Sequence, residues 1–225
     1  MCFSPQADLV GGVVIGAIGV DAVRHTRQRQ GHIALATLPL LLGFHQIVEA
    51  FVWWGLQGHE PHALERVAVW VYLLIAFVVL PIFVPGAVLW NEPDERRRRF
   101  MFPLVALGVV VSGVLLAAMI RGPVTVELRP FHLAYSIQLR HGAVMISLYV
   151  IAICGTLLLS SRRRVVTFGI VNVVAIGVIA WLTVDGFASV WCGWAAVSSA
   201  AIALHMRSGR PHRVAALTPS VAEAH

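Results

Sequence analysis

The 225-residue chain contains no lysine: all 17 of its basic Lys and Arg positions are arginine. That absence removes any chemistry that needs a lysine Schiff base, retinal binding included. Charge is scarce as well, at 12% of residues against 58% hydrophobic, and the mean hydropathy of +0.80 lies outside the range of soluble globular domains. Only three cysteines occur, and they form no C-x-x-C pair. No H-E-x-x-H metal motif, phosphate-binding glycine loop or dinucleotide fingerprint is present. The arginines are grouped in short runs between apolar stretches, which speaks for membrane topology and against nucleic-acid binding.

What the chain does have is apolar runs of membrane length. A helix of about 20 apolar residues crosses a hydrocarbon core of about 30 Å, and inside lipid it satisfies its own backbone. Seven such runs are expected, 5–23, 32–56, 65–90, 100–120, 142–159, 165–184 and 187–206. The expected fold is therefore all-α: one seven-helix transmembrane domain over residues 1–206, followed by a disordered cytoplasmic tail, 207–225. Thirteen arginines fall in the connections after spans one, three, five and seven, and only Arg66, Arg121, Arg129 and Arg140 fall on the other side. The positive-inside rule then sets the N-terminus outside and the C-terminus inside. The opening is read as a first transmembrane helix, with Ser4 as N-cap and Pro5 at the first helical position, and not as a cleavable signal.

The outer connection between spans four and five is the long one. Its residues alternate, Val124, Val126 and Leu128 against Thr125, Glu127 and Arg129, and alternation resumes after Pro130. A short extracytoplasmic β-hairpin or a pair of extended segments is expected there, capping the outer mouth of the bundle.

Rare polar residues can then be given depths. Glu49 lies six residues below the outer end of span two and Cys192 six below that of span seven, each about 9 Å at 1.5 Å per residue. Cys2 precedes the first span, and His132 lies in the hairpin. An intramembrane acid is functional by default; its structural alternative is a protonated Glu49 hydrogen-bonding a neighbour such as Trp53. His45 lies one turn inward of Glu49, and with Gln46 and Asn172 it offers a polar stripe into the bundle. Cys154 is read as a buried apolar cysteine, the glycines of span one as close-packing positions, and the tryptophans mainly as interfacial belt residues.

The opening Met1-Cys2-Phe3-Ser4, the segment from Gly43 to Leu56, His132-Leu133-Ala134-Tyr135 and Val190-Trp191-Cys192 together resemble a family of uncharacterised bacterial membrane proteins that open with Met-Cys-Phe-Ser. The resemblance runs the length of the chain and implies a multi-pass protein of the bacterial inner membrane, without an activity to carry over. It points to Cys2, Glu49, His132 and Cys192. The chain departs from that family's pattern at His45, where Gln is usual, and at Ala50, where Gly is usual.

Three functional classes follow. Cys2, His132, Cys192 and Glu49 form a mixed S/N/O set suited to zinc or copper, with Glu49 as general base of a metal-dependent membrane enzyme or sensor. Alternatively, His45, Glu49 and Asn172 form the stripe of a transporter or proton-conducting protein. In the third class, a Cys2–Cys192 disulfide pins a structural subunit. The expected partners are the lipid bilayer and an unidentified small molecule or lipid; the expected location is the cell membrane.

Overall fold

Helix boundaries follow local chemistry. In a computed structural model, which describes residues 4–26, 33–129, 132–182, 193, 194, 196–198 and 200, the Ser4 Oγ accepts the Ala7 N–H at 3.2 Å and Pro5 opens α1 (Pro5–Thr26). A short α2 (Ile33–Ala36) leads into α3 (Leu38–Leu56), with Pro39 in the first turn, where a missing N–H costs nothing. Next come α4 (His62–Leu74), a π-helical turn (Ile75–Val79) and α5 (Leu80–Asn91), which together form one span. Asp94 caps α6 (Glu95–Arg121) by accepting the Arg96 and Arg97 N–H groups at 2.8 and 3.3 Å. The hairpin β1 (Val124–Leu128) and β2 (Leu133–Ile137) follows, paired antiparallel with Val126 opposite Tyr135, and then α7 (Gly142–Leu159) and α8 (Arg163–Leu182).

Six helices among the described residues are long and apolar enough to cross a membrane, so the protein is a multi-pass helical membrane protein. The first six expected spans correspond to these six, in order. Of the seventh, the described residues are helical, and Ala196 and Ala200 are buried in the main core. The tail 207–225 lies outside the described residues.

The tightest helix pair is α1 against α3. A Cβ on Gly12 would lie 2.7 Å from the Gly43 carbonyl oxygen, and one on Gly43 would lie 2.6 Å from the Gly16 nitrogen. Glycine is required at these positions by backbone approach, the small-residue packing that replaces a hydrophobic driving force in lipid.

The break between α4 and α5 has a cause in its prolines. Leu80 donates its N–H five residues back, to Ile75; Pro81, next in line, has no N–H for Ala76. The Tyr149 hydroxyl takes that place, donating to the Ala76 carbonyl at 2.7 Å, and Ser112 Oγ donates to Val78 at 3.0 Å. Pro85 likewise leaves the Pro81 carbonyl without its helical donor, and Gly108 of α6 packs directly against that oxygen. Neighbouring helices thus supply side-chain donors to the carbonyls of the broken segment at Ala76 and Val78.

At the arginine-rich end a buried Glu92 ties two connections together. It accepts from Ser160 Oγ at 3.0 Å, from the Ser161 N–H at 2.8 Å and from the Asp94 N–H at 3.2 Å. Arg97 adds donations to the Leu159 and Ser160 carbonyls at 2.9 and 3.0 Å. Burial alone would raise the Glu92 pKa, but these hydrogen bonds outweigh it and hold the carboxyl below its ordinary value.

Candidate functional site

The hairpin packs over the far end of the bundle. Leu133 is fully buried in a cluster with Val48, Val52, Trp53, Tyr72 and Met119, and Val124, Val126 and Tyr135 pack onto it. The polar residues of α3 lie at this end. His45, Gln46 and Glu49 each have 0% exposure, because α3 is covered by α1 on one side, by α4 on another and by the hairpin above.

His45 is held between two partners. One ring nitrogen, Nε2, lies 3.1 Å from the Tyr72 carbonyl oxygen. A carbonyl only accepts, so Nε2 carries the proton and Nδ1 is left as an acceptor, buried and without a partner among the described residues. The ring stacks on Tyr72 at 4.0 Å, and Tyr72 stacks on Tyr135 at 4.4 Å. A continuous column therefore runs from α3 through α4 to β2. Gln46 donates weakly to Glu49 Oε2, at 3.4 Å, while its own Oε1 is buried without a partner among the described residues.

One residue of this cluster escapes the sequence reading. Asp8 has 0% exposure, and neither carboxyl oxygen has a hydrogen-bond partner among the described residues. The antiparallel contacts of α1 and α3 set Gly19 beside Leu40 and Gly12 beside Gly43 and Ile47. Continued by one turn, that register sets Asp8 level with Phe51, within about 3 Å in depth of Glu49. The Trp53 indole lies within electrostatic reach of Asp8, outside hydrogen-bond geometry. A sequence signal for Asp8 exists: it shares the i, i+4, i+8 face of Gly12 and Gly16, the face that packs on α3.

Of the residues singled out from sequence, Glu49 and His45 come together on α3. The alternative in which Trp53 hydrogen-bonds Glu49 is not what is seen: among the described residues the Trp53 Nε1 has no hydrogen-bond partner. Trp53 is also buried at 4% exposure, unlike the belt-like Trp90 and Trp181 at 83% and 84%. Asn172, on α8, donates within its own helix to the Phe168 carbonyl at 2.8 Å. His132 lies in the turn leading into β2, half-buried, with its carbonyl accepting the Arg129 N–H at 3.0 Å and its Nε2 buried without a partner among the described residues. Cys2 and Cys192 lie outside the described residues. Among the described residues no group of three or more His, Cys, Asp or Glu side chains is placed to hold a metal ion. Cys154 is buried in the apolar core, at 2% exposure.

A cleft of about 240 Å³ opens from the surface between α4 and β1, with His62, Glu65 and Arg66 at its mouth and Val69 and Val126 deeper. Val69 is one turn before Tyr72, and Val126 pairs with Tyr135. Two residues of its lining thus neighbour, in helix and in strand, the tyrosines stacked on His45.

Residues 1–218 match the model of a family of unknown function (DUF6629). The chain belongs to that family. No curated protein and no solved structure matches it. Membership in DUF6629 covers nearly the whole chain, so the helical bundle, the hairpin and the buried cluster all fall within the family's extent.

Proposed function

We propose that this membrane protein binds and passes protons through the acids at the hairpin end of the bundle, with Glu49 as the exchanging group, Asp8 as its neighbour on α1, and His45 as the next station inward. The observation that carries the reading is the concentration of Asp8, His45, Gln46 and Glu49, all at 0% exposure, on one pair of packed helices. A bare charge in the hydrocarbon region costs about 3 kcal/mol at its centre and less toward the rim, so acids buried there hold a proton or a counter-ion. His45 Nδ1, an acceptor without a partner among the described residues, offers the next proton site. Asn172 adds little, since its amide is turned back into its own helix. The test is proton flux into liposomes carrying the full chain and a trapped pH dye. Glu49→Gln is expected to reduce flux at least tenfold while Glu92→Gln leaves it near wild type. A wild-type flux no greater than that of protein-free liposomes, or an unchanged flux in Glu49→Gln, overturns the reading.

A second reading draws support from His132, whose buried Nε2 has no partner among the described residues, on a hairpin whose Leu133 packs against Val48 and Val52 of α3. Here Cys2, His132 and Cys192 ligate zinc or copper, and Glu49 serves as general base of a membrane enzyme or sensor. Stoichiometric metal in purified protein, lost in His132→Ala, would support it. A Cys2–Cys192 disulfide in metal-free protein would replace it with a structural role for both cysteines.

A further inference from the structure

A second cleft, of about 370 Å³, lies where α6 ends and the chain leaves the hairpin. Its wall is apolar and low: Val114, Ala117 and Ala118 of α6 face Leu139. Its rim is polar, formed by Arg121 and Gln138. Arg121 is the last residue of α6, the span that begins at Glu95, and therefore stands where the hydrocarbon core gives way to headgroups. Gly122 keeps the rim open: a Cβ there would lie 3.2 Å from the Ala118 carbonyl oxygen and 3.4 Å from the Gln138 Cβ.

The charges around this rim are unbalanced. Arg129 is paired with Glu127 at 2.8 Å. Arg121 and Gln138 are exposed, and among the described residues neither side chain has a hydrogen bond or ion pair. A guanidinium and an amide donor above an apolar trough, at the boundary of a membrane span, complement one kind of molecule: an amphiphile with an anionic phosphodiester and a hydrocarbon chain. The guanidinium fork matches two phosphate oxygens, and the two alanines leave the trough that a chain can fill.

We propose that this cleft is a phospholipid site, with the phosphate held by Arg121 and Gln138 and one acyl chain lying along Val114, Ala117, Ala118 and Leu139. Gln138 directly follows β2, so a bound lipid joins the end of α6 to the base of the hairpin.

The test is native mass spectrometry of the full chain in detergent, titrated with a long-chain phosphatidylglycerol. Wild type is expected to retain one lipid that both Arg121→Gln and Ala118→Leu bind at least fivefold more weakly. Arg98→Gln, at the opposite end of the same helix, is expected to bind as wild type does. Excess soluble glycerol phosphate is expected not to displace the lipid. Equal retention by wild type, Arg121→Gln and Ala118→Leu overturns the proposal, as does an equal loss in Arg98→Gln, which would reflect general charge. Full displacement by glycerol phosphate would assign the rim to a free phosphate solute and overturn the lipid assignment.

Discussion

Replacing Gly43 by alanine adds one methyl group to the α1–α3 seam, and the structure says what that methyl meets. It would lie 2.6 Å from the Gly16 nitrogen, 2.8 Å from the Gly12 carbonyl oxygen and 2.8 Å from the Gly16 Cα. All three are backbone atoms, which no side-chain rotation can move aside, so the helices must part. Gly16→Ala is the matched control, because a Cβ there meets nothing within 4 Å. Both substitutions gain the same intrinsic helix preference, about 1 kcal/mol in water, so the difference between them isolates the clash. Overpacking of this kind costs about 1–3 kcal/mol. At about 2–4 °C per kcal/mol in a chain of this length, Gly43→Ala should unfold about 2–12 °C below Gly16→Ala in the same detergent, read by thermal scanning. Gly16→Ala should match or exceed wild type. If Gly43→Ala is as stable as Gly16→Ala, the register that sets Asp8 beside Glu49 is wrong.

Tyr149→Phe removes the donor that stands in for Pro81 at the Ala76 carbonyl and should cost about 0.5–2 kcal/mol in detergent unfolding; no loss would mean that the carbonyl is satisfied otherwise. Glu92→Gln weakens a set of hydrogen bonds made to a charged acceptor and should cost about 1–2 kcal/mol near neutral pH. Because the folded Glu92 pKa is depressed, its contribution is present above the ordinary glutamate pKa and is lost as pH falls through the depressed folded value. Wild type should therefore converge on Glu92→Gln in acid, as read by unfolding at a series of pH values, and a constant gap would refute the assignment.

Much of the fold is legible in the sequence because membrane helices are written locally. Apolar length, the Ser4-Pro5 start and the alternation from Val124 to Ile137 each depend on neighbours in the chain, and each is seen in the structure. What escapes depends on partners far along it. Glu92 reads as a loop acid until the turn at Ser160 and Ser161, 68 and 69 residues away, closes over it. Asp8 looks like an ordinary first-turn acid, favoured by the helix dipole, until the glycine seam buries it against α3. Trp53 looks like a belt residue for the same reason, since its burial comes from the hairpin and from α4. Glu49 could be found because an acid within an apolar run is anomalous on sequence grounds alone. Of the buried polar residues around it, His45 and Gln46 share its helix, whereas Asp8 is contributed by α1.

The most direct test of the central claim is infrared pH-difference spectroscopy on the reconstituted full chain, which reads protonated carboxyl groups through their C=O stretch. The account predicts a buried carboxyl band that changes with pH and disappears in Glu49→Gln, with a second component removed by Asp8→Asn. An identical difference spectrum in wild type and Glu49→Gln would show that Glu49 does not exchange protons and would contradict the account.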